Sequence, residues 1–171
     1  ELKPMPEPFK NLLSSVVIRT MAGELAKAGP HFDAVGFIEM AGKNLETLEL
    51  KQRSTQITAT LATFLPDDFE KSAKIILASL APEDENAFNN VDRSDRGITG
   101  WAVMPMADYV GLYGQGHFDL SMTLLKEMTK RSSSEFGIRF FLLEQPERTL
   151  SQLKKWTRDT NVHVRRLISE G

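Results

Sequence analysis

The 171-residue sequence contains no cysteine, which excludes a disulfide framework, a thiolate metal site and a cysteine nucleophile. It has no apolar run near the roughly 18 residues that a membrane-spanning helix needs. Its first residues lack the basic region and apolar stretch of a secretory signal. With 41% hydrophobic and 26% charged residues, the composition predicts a soluble globular protein, and we expect it in the cytoplasm.

The net charge of -2 is unevenly distributed along the chain. Residues 126–171 carry ten Lys and Arg against six Asp and Glu, whereas residues 1–125 carry a net negative charge. A basic end on an acidic body favours one face that binds a polyanion. The alternative is that these charges are ordinary solvated helix faces, and the charge pattern alone leaves both interpretations open.

Apolar residues recur at three- to four-residue intervals along almost the whole chain, and no alternating strand pattern of any length is present. Residues suited to begin a helix precede several of these segments: Asp33, Asp68, Ser133 or Ser134, and Asn161. In each of the last four helices, one face of apolar side chains is predicted to be buried, and these side chains include Phe140, Leu143, Leu150 and Trp156. The fold class is therefore predicted to be all-α.

A loose repeat indicates a more specific architecture. A Phe and an Asp stand together where a helix begins at Phe32-Asp33, Asp68-Phe69 and Phe118-Asp119. With the polar stretch 83–100 set aside as a loop insertion, the period is close to the roughly 40 residues of HEAT-like helix pairs. We predict one HEAT-like domain over residues 1–171, a solenoid of stacked antiparallel helix pairs.

Two acid–arginine pairs lie four residues apart in the basic region, Glu135 with Arg139 and Arg166 with Glu170. Most such pairs are solvated surface pairs worth a few tenths of a kcal/mol. If both faced one groove, the arginines would bind phosphate and the carboxylates could stabilise a developing positive charge or activate water. The three histidines show no metal-ligand spacing.

The segment LLKEMTKRSSSEFGIRFFL, followed by ERTLSQLKKW and DTNVHVRRLISEG, resembles the AlkC-type DNA alkylation repair glycosylases, which are relatives of the AlkD group. The stretches LELKQR, LPDDFEKSAKIILASL and YGQGHFDLSMTLL are also similar to that family. The resemblance covers most of the chain outside 83–100. It implies a HEAT-like fold and excision of cationic N3-methylated bases, such as 3-methyladenine, from duplex DNA.

Carried over by position, the resemblance implies that Glu135 and Glu170 are the catalytic carboxylates. Arg165 and Arg166 would bind backbone phosphate beside the lesion, and Arg139 would orient Glu135 or contact DNA. The full predicted DNA-binding set is Lys130, Arg131, Arg139, Lys155, Arg165 and Arg166. We expect no metal or other cofactor, a monomeric protein, and alkylated double-stranded DNA as its partner.

The family continues beyond the SEG motif with further helix pairs, so we expect this chain to be the N-terminal portion of a longer enzyme. Two alternatives of other classes stay open at this point. One is a non-catalytic HEAT-like DNA-binding module, and the other is a protein scaffold without a basic stripe.

Overall fold

The computed structural model describes residues 8–83, 97–132 and 135–170, and for residues 135–136 and 168–170 it describes the backbone alone. These ranges contain nine α-helices and no strand longer than an isolated bridge. The helices are α1 (Ser15–Ala28), α2 (Ala34–Ala41), α3 (Leu50–Phe64), α4 (Phe69–Ser79), α5 (Val103–Tyr113), α6 (Phe118–Thr129), α7 (Glu135–Glu144), α8 (Pro146–Trp156) and α9 (Val162–Glu170). Short 3-10 turns lie at Phe9–Leu13, Leu45–Thr47 and Gly100–Ala102. The all-α prediction is confirmed.

The helices pack in two rows. In the first row α1 contacts α4, α4 contacts α6 and α6 contacts α9. In the second row α2 contacts α3, α3 contacts α5, α5 contacts α7 and α7 contacts α8. Contacts of α1 with α2, α5 with α6 and α8 with α9 join the rows. This is the two-layer packing of a helical-repeat stack, in which each unit buries its apolar face against its neighbours.

Helix starts follow the predicted capping residues. Asp33 accepts a hydrogen bond from the Gly36 backbone, and Asp68 accepts from the backbone of Glu70 and Lys71. Asn161 accepts from the backbone of His163 and Val164 at the start of α9. The alternative caps Ser133 and Ser134 lie outside the described residues.

The buried stripe of α7 differs from the prediction. Leu143 is 79% exposed and Phe140 is half-buried, while Ile138 and Phe141 are fully buried. The cause is the close approach of α7 to α5, where a Cβ on Gly137 would lie 2.7 Å from the Ala107 carbonyl oxygen. This contact fixes the rotation of α7 about its axis and turns Leu143 outward.

The predicted stripe of α8 is half right. Trp156 is buried, as expected for a core residue, but Leu150 is 58% exposed. The main contacts of α8 are with α7 and α9, and they leave Leu150 on its uncovered side. No described helix is long and apolar enough to cross a bilayer.

The predicted loop insertion 83–100 lies mostly outside the described residues, but its two ends are fixed together. The Ala81 amide donates to the Ile98 carbonyl at 2.9 Å, and the Ile98 amide donates to the Ser79 carbonyl at 2.8 Å. Ile98 is 2% exposed. The end of the predicted loop is therefore part of the core, because the side chain of Ile98 is buried there. The polar composition of the segment gives no sign of this.

Candidate nucleic-acid interface

A groove of about 550 Å³ runs along the second row, between α3, α5 and α7. Its size is typical of ligand-binding clefts, which usually enclose about 300–1,000 Å³. We call it the α3–α5–α7 groove. Charged and apolar side chains face each other across it, chiefly Lys51, Asp108, Leu112, Tyr113, Arg139 and Leu143.

A second, more open cavity of about 740 Å³ continues this surface between α2 and α3. Lys51, Thr55 and Ala59 line both cavities, so the two form one continuous surface. Lys43 lies at its far end. Gln56 fixes the backbone there, because its Nε2 donates to the Ala41 carbonyl at 2.8 Å and to the Lys43 carbonyl at 2.9 Å. Three cations, Lys43, Lys51 and Arg139, therefore lie along this row.

Lys43 and Lys51 were not in the predicted DNA-binding set. The prediction was based on the basic segment 126–171, and it missed these two residues because they lie in the acidic part of the chain. The available signal was the spacing of Lys51, Thr55 and Ala59, which places a cation and two small residues on one side of α3. Small residues beside a cation leave room for a bulky anionic partner.

Asp108 is the acidic residue of the α3–α5–α7 groove. Its Oδ1 atom is buried and has no hydrogen-bond partner within the part of the chain that the structure describes. Burial raises the pKa of the Asp108 carboxyl to about 6, against the opposing effect of the positive charge on Lys51. Buried polar atoms are nearly always hydrogen-bonded in folded proteins, so this unpaired oxygen is an exception.

Lys130 and Arg131 lie at the other row, at the end of α6, and both contact Glu127. The Lys130 Nζ is 3.0 Å from Glu127 Oε1, and Arg131 Nη1 is 2.7 Å from Glu127 Oε2. Arg131 also donates from Nε to the Ala81 carbonyl at 2.6 Å. Partial burial acts to raise the pKa of Glu127, but hydrogen bonds from Arg131 and Lys130 outweigh it and hold that pKa below its usual value.

The turn before α9 is fixed by a second set of ionic contacts. Asp159 accepts from Lys126 on α6, with 2.6 Å between Oδ2 and Nζ. Arg165 folds back over this turn, donating from Nη1 to the Asp159 carbonyl at 2.7 Å and to the Thr160 carbonyl at 3.1 Å. Arg165 and Arg166 are both exposed on α9.

The predicted site residues are thus distributed over three helices, α7, α8 and α9, and the turn that follows α6. Arg139 lies in the α3–α5–α7 groove, and Lys155 is exposed on α8. Lys130 and Arg131 lie in the turn that follows α6 and do not line that groove. Glu135 is the first residue of α7 and Glu170 the last of α9, and their side chains lie outside what the structure describes.

No protein-family model matches the chain. The structure is similar to that of Pseudomonas fluorescens alkylpurine DNA glycosylase AlkC bound to DNA containing an abasic site analog, with a TM-score of 0.81 over 97% of this chain and 32% sequence identity. The resemblance to AlkC is confirmed. The chain also shares 31% identity over 164 residues with the uncharacterized protein YhaZ of Bacillus subtilis (strain 168).

The chain spans less than half the length of these two relatives, 43% of the AlkC chain and 42% of YhaZ. The all-α helical-repeat fold is common to this chain and AlkC over nearly the whole of the 171 residues.

Proposed function

We propose that this chain carries the DNA-binding surface and catalytic carboxylates of a DNA glycosylase that excises cationic N3-methylated bases from duplex DNA. The observation that carries the proposal is its likeness, at a TM-score of 0.81, to a glycosylase bound to DNA with an abasic site analog. Abasic DNA is the product left when a base is excised. We further propose that the protein acts as a monomer in the cytoplasm.

The chemistry suits a site built from carboxylates and cations. A base carrying a positive charge leaves as a neutral molecule, taking the electron pair of the bond to C1′, so it needs little help from a general acid. The sugar that remains is oxocarbenium-like, and nearby carboxylates stabilise such a cation. Glu135 and Glu170 are the proposed carboxylates. Water then forms the new C1′–O bond and gives up a proton.

Binding to the duplex is proposed to rest on phosphate contacts from Lys130, Arg131, Arg139, Lys155, Arg165 and Arg166. The groove supports adding Lys43 and Lys51 to this set, because they continue the line of cations from Arg139 along the second row. Each neutralised phosphate releases condensed counterions, so affinity for DNA should fall steeply as salt concentration rises.

The test is release of 3-methyladenine from methylated duplex DNA by this chain and by the full product of its gene. We expect release by at least the full product. Glu170→Gln should retain affinity for abasic duplex and lose release, because it removes a negative charge near the sugar and keeps the shape. DNA binding without release by either form would instead indicate a non-catalytic DNA-binding module, and the absence of both would favour a protein scaffold.

A further inference from the structure

We propose that Lys126 and Asp159 are positioning residues, whose contact fixes the direction of α9 and thereby the place of Glu170 at the reacting sugar. The inference rests on the proposed glycosylase function, which gives Glu170 its catalytic role, and it assigns a role to two residues outside the predicted site. Three observations carry it. Asp159 is bonded to three helices, directional contacts hold the start of α9, and Glu170 lies at the far end of that helix.

Asp159 joins α6, α8 and α9 through hydrogen bonds. Its Oδ2 atom accepts from the Lys126 Nζ on α6 at 2.6 Å. Its backbone amide donates to the carbonyl of Trp156, the last residue of α8, at 3.0 Å. Its own carbonyl accepts from Arg165 Nη1 on α9 at 2.7 Å. A single residue of the turn therefore ties the first row of helices to the helix that carries Glu170.

A second contact holds the residue that caps α9. The Asn161 backbone amide donates to Asp159 Oδ1 at 2.8 Å, and the Asn161 Nδ2 donates to Glu83 Oε1 at 3.0 Å. The other oxygen of Glu83 is 3.6 Å from the Nζ of Lys130, which follows Lys126 by four residues. Two carboxylates, each paired with a lysine at the end of α6, therefore hold the start of α9 from two sides.

The apolar contacts of α9 are less directional than these polar ones. Among its described side chains, Val164 and Leu167 are buried, and the helix contacts α6 and α8. Apolar burial is non-directional, so it holds a helix against its neighbours without sharply defining its tilt. Hydrogen bonds have narrow distances and angles, so the contacts before Val162 define the tilt better.

The length of α9 magnifies any change at its start. Glu170 is the last residue of a helix that begins at Val162, so it lies about 12 Å along the axis at 1.5 Å per residue. Turning the helix by about 5° about its start would move this end by about 1 Å. A misplacement of about 1 Å can cost about 100-fold in rate. The contact of Lys126 with Asp159 can therefore control the reaction from a distance, through Glu170.

The competing role for Lys126 is that of a phosphate ligand, because it lies in the basic segment. In the structure its ammonium is bound to Asp159, whose side chain is only 13% exposed. The hydrogen bond from Lys126, followed by that from the Asn161 backbone, holds the pKa of Asp159 below its usual range, so the carboxylate is ionised at neutral pH. The dependence of DNA affinity on salt separates the two roles, because only a phosphate ligand contributes to it.

The first experiment compares Lys126→Met and Asp159→Asn with the wild-type full gene product in single-turnover release of 3-methyladenine. We expect each rate to fall about tenfold, because α9 then samples directions that misplace Glu170. Affinity for a tetrahydrofuran abasic duplex should stay within about threefold, with the slope of log affinity against log salt unchanged. A wild-type rate in either variant would overturn the proposal, and so would a slope reduced by about 0.9 in Lys126→Met.

Three further variants test whether one contact is responsible. The double variant should be no slower than the slower single one, because both substitutions remove the same contact. Lys126→Arg keeps a charged donor and should restore the rate to within about threefold. Lys27→Met, which removes an ion pair of 3.0 Å with Glu24 on α1, is the matched control and should react as wild type does. Losses that multiply in the double variant, or no rescue by arginine, would contradict the positioning role.

Melting temperature separates positioning from a general loss of stability. Partly exposed ion pairs contribute little to stability, so we expect each single variant to melt less than about 4 °C below wild type. The rate should stay low when each protein is assayed at the same interval below its own melting temperature. A rate that recovers under this condition would show a merely structural role.

Hydrogen exchange of backbone amides tests the contact without DNA. In Lys126→Met the amides of α9 should exchange about tenfold faster than in wild type, because its start is released, while those of α1 and α3 should not change. Unchanged exchange in α9 would contradict the positioning role whatever the rate of release. Failure of the wild type to release base, with exchange altered as expected, would contradict the proposed function and still support Lys126 and Asp159 as the residues that direct α9.

Discussion

The Arg53 guanidinium on α3 donates a hydrogen bond from Nη1 to the carbonyl oxygen of Leu13, 40 residues earlier in the chain, at 3.2 Å. The same nitrogen donates to the Lys10 carbonyl, and Nε donates to the Leu48 carbonyl, both at 3.0 Å. Arg53 is 1% exposed, although arginine is rarely buried without a carboxylate partner. One side chain therefore fastens the N-terminal 3-10 turn to the second row of helices.

Replacing Arg53 by Met should destabilise the protein by about 2–4 kcal/mol, because three backbone carbonyls lose their donor at once. Chemical denaturation followed by circular dichroism measures the change. Arg19→Met is the matched control, since Arg19 is exposed on α1 and its loss should cost less than about 0.5 kcal/mol. Equal losses in the two variants would show that the buried hydrogen bonds contribute nothing.

The same substitution at two glycines should have opposite effects. Gly137→Ala should destabilise by about 2 kcal/mol, because the new methyl group would lie 2.7 Å from both the Ala107 carbonyl oxygen and a Leu125 methyl. Gly23 lies within α1 with nothing near its missing Cβ, so Gly23→Ala should stabilise by about 0.5–1 kcal/mol. Thermal unfolding of both variants checks the pair, and a stabilising Gly137→Ala would refute the close contact of α5 with α7.

Removing a groove cation should weaken DNA binding without unfolding the protein. Lys51→Ala and Arg139→Ala should each reduce the slope of log affinity against log salt by about 0.9, the value expected for one lost phosphate contact. Fluorescence anisotropy with an abasic duplex at several salt concentrations gives the slopes. Lys27→Ala is the control, because Lys27 is an exposed residue of α1 in the other row. A slope unchanged in both groove variants would place the DNA elsewhere.

The ion pair between Asp159 and Lys126 should make stability depend on pH. Hydrogen bonds from Lys126 and the Asn161 backbone lower the pKa of Asp159 below its usual value. A lowered carboxyl pKa stabilises the folded state above the unfolded-state value of about 3.9, and this contribution is lost as pH falls through the folded-state pKa. Asp159→Asn should therefore be less stable than wild type at pH 7, with the difference shrinking as the pH falls through the folded-state pKa of Asp159. A difference that persists in acid would assign the effect to packing.

Much of the fold follows from local signals in the sequence. Asp33, Asp68 and Asn161 begin helices because their short side chains reach the free backbone amides of a first turn, and this depends on near neighbours alone. The rotation of α7 was not predictable in this way. It depends on Gly137 meeting α5, a contact between residues about 30 positions apart that no periodicity encodes.

The site shows the same limit. Arg139 was identified from its basic surroundings and its spacing from Glu135, and it does line the groove. Lys51 and Asp108 escaped notice because each is an ordinary charged residue until three helices bring them together. The sequence prediction placed Lys130 and Arg131 in the same DNA-binding set as Arg139, because all three lie in the basic segment. In the structure, contacts with Glu127 and Ala81 hold Lys130 and Arg131 in the first row of helices, away from Arg139.

The backbone bridge between Leu80 and Ile98 holds together the two ends of the segment that lies between them in the sequence. The length of that segment therefore does not determine how the helices pack. Because backbone hydrogen bonds from Ala81 and Ile98 join the ends of the intervening segment, we expect that adding or deleting residues there leaves α4 and α5 in register. Arg131 fastens the same point to α6, in the row opposite the α3–α5–α7 groove. A fluorophore or an affinity tag inserted between these two joined ends should therefore leave the packing of the helices unchanged.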